Sequence, residues 1–313
     1  MGEKSLTTEE IAKRLKVSKL TVYDLIKKEK IPSYRVGRQV RVDEEDLLAY
    51  IQKSKHRGIL ESKTVMSPLT SETSVFSNDA LVISGQDISL DIFARYLLEQ
   101  KPGRPVLRAH IGSLSSLMDL YREMDGIASL HLYDGDTGVY NIPYVKKILV
   151  GLPCIVFRFL IREVGFYVKK GNPKHILSWQ DLKRSDIRFV NRERGAGIRV
   201  LVDEKLRIYG ISPSEINGYQ TLAQNHTGIA AMVAFGEADV GVGIKSVALL
   251  TDLDFISLQK EHYDLVLLKK TNHIDFIEKI QTVLQNKKFQ EELALIGNYD
   301  LTDIGKIIYE TNM

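Results

Sequence analysis

Four short stretches of the chain place Gly, Ser, Thr or Asn where an apolar, strand-like run ends and a helix-like pattern begins. They are Ser84-Gly85, Gly112-Ser113, the segment Asn191-Arg192-Glu193-Arg194-Gly195-Ala196-Gly197-Ile198-Arg199, and His226-Thr227-Gly228. The first turn of a helix carries N–H groups with no partner and the positive end of the helix dipole, so an anion is its natural guest. Small residues let the backbone approach, hydroxyls add donors, and ligands of open α/β sheets bind beyond the carboxyl ends of the strands. Plainer roles exist for the same residues. Gly195 and Gly197 suit simple turns, Arg192 and Arg199 have Glu193 and Asp203 as surface partners, and His131 and His226 suit structural positions. No Ser/His/Asp order, catalytic carboxylate pair or metal-ligand spacing stands out. The expectation is a binding protein without catalytic residues, metal or resident cofactor.

A second constellation lies at the N-terminus. Ser18, Lys19, Thr21 and Tyr23 fall on the exposed first part of a helix that follows a tight turn, where base edges of a major groove are reached. Lys27 and Lys28 sit further along, nearer phosphates. Beyond Pro32 the pattern alternates: Tyr34, Val36, Val40 and Val42 are apolar, Arg35 and Arg41 lie between them, and Gly37-Arg38-Gln39 forms the turn of a two-stranded wing. If Val36 and Val40 close a three-residue loop, Arg35 and Arg41 face each other, a repulsion that a DNA phosphate between them relieves. The plain alternative is a small helical bundle with solvated basic residues.

The elements that position these groups follow from periodicity. Thr7 and Glu10 form an S/T-x-x-E capping box that opens a helix over 7–15, with Ile11 and Leu15 on one face. Ser18 caps a helix through Lys28 that buries Val22, Leu25 and Ile26, and Asp43 caps a third through Gln52. Residues 54–78 have weak periodicity and read as a linker. From Ala80 onward, strands are expected at 80–84, 106–111, 154–157, 164–169, 188–191, 238–243, 255–258 and 265–268. Helical patterns follow many of them, at 115–123, 198–209, 227–235 and 274–284. Alternation of this kind predicts an α/β fold with parallel sheets covered on both faces.

Composition agrees with two functions in one chain. Of 313 residues, 43 are Lys/Arg and 40 Asp/Glu. Residues 1–53 hold 12 basic and 9 acidic residues, while the remaining 260 hold 31 of each, so the whole excess sits where a polyanion would meet it. One cysteine, Cys154, excludes a disulfide framework and suits a reducing compartment. Glu3, Glu9 and Glu10 leave no signal-peptide core, and the apolar stretch 148–161 is too short to span a bilayer. A cytoplasmic protein with no membrane partner is expected.

The stretch Leu6–Tyr50, LTTEEIAKRLKVSKLTVYDLIKKEKIPSYRVGRQVRVDEEDLLAY, resembles the excisionase-type (MerR-like) winged helix-turn-helix family. That resemblance implies double-stranded DNA as partner. Residues 80–313 resemble the periplasmic-binding-protein-like domain found fused to helix-turn-helix modules, which is similar to molybdate/tungstate-binding proteins. FVNRERGAGIRVLVDEKL, INGYQTLAQNHTGIAAMVAFGEADVGVGI and FISLQKEHYDLVLLK carry it. The resemblance implies a two-lobed (type II) fold with a ligand in the cleft. It names Ser84, Ser113, Asn191, Arg192, Gly195, Ala196, Gly197, His226 and Tyr263 as candidate ligand-binding residues. Where that family often reads Gly-Ser-Gly-Thr-Arg, this chain has Gly195-Ala196-Gly197-Ile198-Arg199, which removes two hydroxyls. The expected function is a DNA-binding transcriptional regulator that senses molybdate or tungstate, with a sensor of a small organic acid, or a non-regulatory oxyanion-binding or delivery protein, as the alternatives. The expected organisation is a DNA-binding domain over 1–53, a linker over 54–78, a sensor over 79–313, and a homodimer.

Overall fold

The computed structural model describes residues 5–15, 17–27, 31–37, 39–44, 46–47, 80–270 and 274–311. The chain divides into two compact units, Met1–Thr73 and Ser74–Met313.

In the first unit, strand β1 (Ser5–Thr7) leads into a helix at Thr8–Leu15, a second helix at Lys19–Lys27, and strands β2 (Tyr34–Val36) and β3 (Gln39–Asp43). The capping box forms: Glu10 N donates to Thr7 Oγ1 at 3.3 Å, and Thr7 N donates to Glu10 Oε2 at 2.8 Å. Ser18 Oγ accepts from Thr21 N at 3.1 Å, the geometry of an N-cap. Leu6, Ile11, Val22, Ile31, Val42 and Leu47 build the core. The wing differs from expectation by one residue. Val36 pairs with Gln39, so two positions, and not three, separate the paired residues. A one-residue change of register flips the faces: Arg35 now pairs with Val40, and Arg41 pairs with Tyr34. The expected Arg35–Arg41 confrontation is therefore absent, and with it the need for a phosphate between them. The third helix beyond Leu47 and the linker 54–78 lie outside the described residues.

The second unit is built on one mixed sheet. Its strands are β4 (Leu81–Ser84), β5 (Val106–Ala109), β6 (Gly126–Leu130), β7 (Cys154–Lys169), β8 (Phe189–Arg192), β9 (Leu222–Ala223), β10 (Val240–Ile244), β11 (Leu253–Leu268) and β12 (Ile307–Glu310). The order is β5-β4-β6-β11-β7-β10-β8-β9, with β12 paired to β7. β4 is parallel to β5 and β6, and β8 is parallel to β9 and β10, whereas β7 and β11 run antiparallel to each other and to their flanking strands. Two pairs of expected strands are thus single strands of 16 residues each. The polar segments Arg162-Glu163 and Gln259–His262, which fall between the expected strands, lie inside the ladder of β7 with β11.

Those two long strands create the two lobes. The first lobe uses the 154–160 half of β7 and the 263–268 half of β11; its aromatic core joins Phe93, Phe157, Phe159, Tyr263 and Phe289. The second lobe uses the other halves, packed with Phe166, Trp179, Phe189 and Val242. Register shifts at Ser257/Gln259 and Tyr263/Asp264 bracket the crossing segment of β11, and bulges of this kind bend strands. The unit's described chain begins with β4 and ends with β12, both in the first lobe.

Candidate functional site

The lobes meet over three helix N-termini. Gly112 precedes the helix Ser113–Tyr121 of the first lobe, Ala196 precedes Gly197–Ile208 of the second, and Asn225 precedes His226–Ala234, where its Oδ1 accepts from Gly228 N at 2.7 Å. These are three of the four junctions read from the sequence. The fourth, Ser84-Gly85, opens toward the same space from the end of β4. A side chain at Gly85 would strike Ser129 Oγ at 1.9 Å, and one at Gly197 would strike the His131 ring at 2.5 Å, so both glycines are required by close approach.

The enclosed cavity is about 20 Å³, the scale of one ordered water. Arg162, Arg192, Asp87, His131, His226, Ser113 and Tyr263 are among its lining residues. Arg162 stands on β7 where the chain crosses between lobes, directly opposite Glu261 on β11. Its Nε donates to Glu261 Oε2 at 2.7 Å, its Nη1 donates to Asp87 Oδ2, and its guanidinium lies 4.3 Å from the Tyr263 ring centroid. Arg192, at the end of β8, is 2% exposed. Its Nε and Nη2 donate to Glu193, and Nη2 also reaches Gln86 Oε1 of the first lobe at 2.9 Å and the Gln224 carbonyl at 2.8 Å. Among the described residues, neither Arg162 Nη2 nor Arg192 Nη1 donates to a protein acceptor.

Burial and charge set the protonation states. Burial opposes charge on Glu261, but His131 and Arg162 pull its pKa down to about 2. Burial likewise opposes charge on Asp87, and Arg162 with the Ser89 and Tyr299 hydrogen bonds holds it below the usual carboxylate range. His131 Nδ1 lies 2.8 Å from Glu261 Oε1, yet burial, with Arg162 and Arg192 nearby, keeps the imidazole pKa lowered. His226 is lowered further, by burial first and then by both arginines, and its Nδ1 is buried without a hydrogen-bond partner. Both rings are neutral at ordinary pH.

Bonds between the lobes hold the cleft closed. Leu114 N donates to the Gly195 carbonyl at 3.0 Å, Gly135 N donates to Glu204 Oε2 at 3.0 Å, and Arg207 Nη2 donates to Asp136 Oδ1 at 2.7 Å. The loop that supplies Gly135 and Asp136 ends at Asn141, whose backbone has φ +64°. Asn141 is fully buried there: its Oδ1 accepts from Leu132 N at 2.7 Å, and its Nδ2 donates to Asp264 Oδ2 at 2.6 Å.

Of the nine ligand candidates, Ser113, Arg192, Ala196, Gly197, His226 and Tyr263 line the cavity. Ser84 offers its carbonyl to Ser129 Oγ, Asn191 turns to its own strand and to the Tyr219 carbonyl, and Gly195 serves the lobe contact. Arg199 is buried and bound to Asp203 and Tyr219, a structural role. Gln86, Asp87, Gly112, Ser129, His131 and Arg162 were not among the candidates. Arginines inside the apolar run of β7, Arg158 and Arg162, are the signal, since cations are rarely buried unless paired.

A family model described as PBP superfamily domain matches residues 94–285, and one described as helix-turn-helix domain matches residues 5–55. The chain belongs to the PBP superfamily. Among relatives of this PBP-domain chain, the uncharacterized protein YvgK of Bacillus subtilis (strain 168) is 44% identical over 307 residues, 98% of each chain. An uncharacterized protein in the ferredoxin 2Fe-2S gene 5' region of Clostridium pasteurianum is 38% identical over 112 residues, covering 36% of this chain and 99% of its own. A Clostridium perfringens phosphate ABC transporter substrate-binding protein, solved with phosphate, has a TM-score of 0.52 at 17% identity. That match covers 70% of this chain and 98% of the other. The last likeness establishes a PBP-type fold for the second unit and nothing about its ligand.

On the N-terminal unit, Ser18, Lys19, Thr21 and Tyr23 are exposed, as a groove-reading surface requires. Lys19 Nζ is held 2.5 Å from Glu9 Oε1, and Arg41 Nη2 donates to Gln39 Oε1 at 3.2 Å. Lys28 and Arg38 lie outside the described residues. Among the described residues no helix is long and apolar enough to cross a membrane, and no group of His, Cys, Asp and Glu could hold a metal.

Proposed function

We propose that this chain is a non-enzymatic, cytoplasmic transcription regulator that binds double-stranded DNA through residues 1–53 and senses a small anion in the cleft of residues 79–313. Two buried guanidinium groups, one on the crossing strand and one in the second lobe, line a cavity ringed by helix N-termini, and each keeps a terminal nitrogen that donates to no protein acceptor among the described residues. That observation carries the reading. An anion there contacts both lobes and the strand between them. The present cavity has the scale of one ordered water, so the anion favours a wider setting of the lobes than this one, by its difference in affinity for the two forms. Ser113, Arg192, Ala196, Gly197, His226 and Tyr263, with Arg162 and Gln86 added, are the proposed ligand contacts. Ser18, Lys19, Thr21, Tyr23, Lys27, Lys28, Arg35, Arg38 and Arg41 are the proposed DNA contacts. A homodimer reading two half-sites completes the proposal, because one short winged module makes few contacts.

The anion is a tetrahedral oxyanion of the molybdate or tungstate kind, or a small organic acid, which the loss of two hydroxyls at Ala196 and Ile198 favours. Thermal denaturation of the full chain against molybdate, tungstate, sulfate and a panel of small organic acids tests it. A ligand at about 100 times its Kd stabilises by roughly 2.7 kcal/mol. The response should vanish in Arg192→Ala, and the same ligand should change the affinity for DNA. Silence from every anion, or DNA affinity indifferent to a bound one, overturns the proposal.

A further inference from the structure

Hydrogen-bond capacity in the cleft is two-sided. The donors are Arg162 Nη2, Arg192 Nη1 and the first-turn N–H groups of the three helices other than those of Leu114 and Gly228, which bond to Gly195 and Asn225. The acceptors are fewer but buried. Glu261 at 2.8 Å holds the proton of His131 on Nδ1, so Nε2 of that lining ring keeps a lone pair. His226, 9% exposed and also lining the cavity, keeps one lone-pair nitrogen, and its Nδ1 has no partner. Asp87 is saturated at Oδ1 by Ser89 N, Ser89 Oγ and the Tyr299 hydroxyl, while its Oδ2 takes only Arg162. Charge points the same way. Arg162 and Arg192 carry two positive charges, and Asp87, Glu261 and Glu193, each paired to one of them, carry three negative ones. Glu193 and Gln86 continue this polar lining into the neighbouring mouth of the cleft, together with His110, Gln224, Asn225 and Thr227.

We infer that the ligand is a small anion bearing an O–H or N–H donor of its own, such as hydrogen phosphate or a hydroxy acid, and not a proton-free oxyanion. This rests on the anion-sensor reading above. A proton-free dianion fills the donors but presents a lone pair to His131 Nε2 and negative charge to Asp87 Oδ2. The His131 nitrogen is then left both dehydrated and unpaired, and the Asp87 oxygen, held only by Arg162, faces like charge. A ligand that keeps one proton pairs with both sets. Sites built to accept from a ligand hydroxyl reject analogues that lack it by factors that reach about 10,000.

Calorimetric titration of the wild-type full chain at neutral pH against matched probes decides it: inorganic phosphate against sulfate, arsenate against molybdate, and glycolate against acetate. At least one donor-bearing probe is expected to bind at least about tenfold more tightly than its match. Sulfate, molybdate or acetate binding with a smaller preference than that, or more tightly than its match, overturns the inference and leaves the anion sensor standing. Silence from all six overturns the sensor reading itself, and the inference falls with it.

Discussion

In the N-terminal unit Lys19 and Glu9 meet at 2.5 Å with both side chains largely in water, whereas in the cleft Arg162 lies between Asp87 and Glu261 with all three withdrawn from it. The chemistry of the two pairs is the same and their physics is not. A solvated ion pair exchanges partners at little cost and is screened by salt, which suits a surface that trades counterions for the phosphates of a long polyanion. A buried cation is fixed in place by its carboxylates and is screened far less, which suits one small ligand held in one geometry. The pair in the first unit is free to change partners, whereas the cation of the second is balanced by two buried carboxylates.

The largest test of that contrast is Arg162→Met. It leaves Asp87 and Glu261 buried without their cation, and loss of one partner from a buried pair costs about 3–5 kcal/mol. Urea unfolding followed through Trp179, the one tryptophan of the chain and part of the second-lobe core, reads it directly. A loss below about 1 kcal/mol, the level of a solvated pair, would erase the distinction.

Acid gives the next effect. Glu261 titrates at about 2 when folded, against 4.5 for its ordinary value. A lowered carboxylate stabilises the fold fully above its unfolded pKa, and that contribution drains away as pH falls from about 4.5 toward 2. Its size is about 3 kcal/mol. The Trp179 unfolding midpoint should therefore fall steeply through this window, and Glu261→Gln should flatten that limb. An unchanged acid limb in the variant would place the acid sensitivity elsewhere.

Lys19→Ala is the smallest. Trp179 unfolding should not move, while affinity for DNA falls and the preference among DNA sequences relaxes, as for a residue at base edges. A sequence preference left untouched would remove Lys19 from the base-reading set.

How much of this could be read from the residues alone depends on whether the signal was local. The capping box at Thr7/Glu10, the Ser18 cap and the helix 274–284 were legible because each is set within a turn or two of chain. Three of the helix N-termini that ring the cavity were legible for the same reason. The long strands were not. Arg162-Glu163 and Gln259–His262 fall between the expected strands, and only the partner strand, about a hundred residues away, makes them a ladder. The same distance hid Arg162 and Asp87 from the list of candidates, since their roles exist only when β7, β11 and the end of β4 come together. The wing failed by one residue because Gly37-Arg38 and Gly37-Arg38-Gln39 are both reasonable hairpin turns.

The two 16-residue strands have one more consequence. The described part of the sensing unit begins and ends in the first lobe, so the second lobe is an insert, entered along β7 and left along β11. Among the described residues of this unit, whatever the insert experiences reaches the first lobe through that two-stranded stalk or across the face it closes against. A ligand gripping Arg162 therefore sits on the stalk itself, where a shift of one ladder position would reorient a whole lobe.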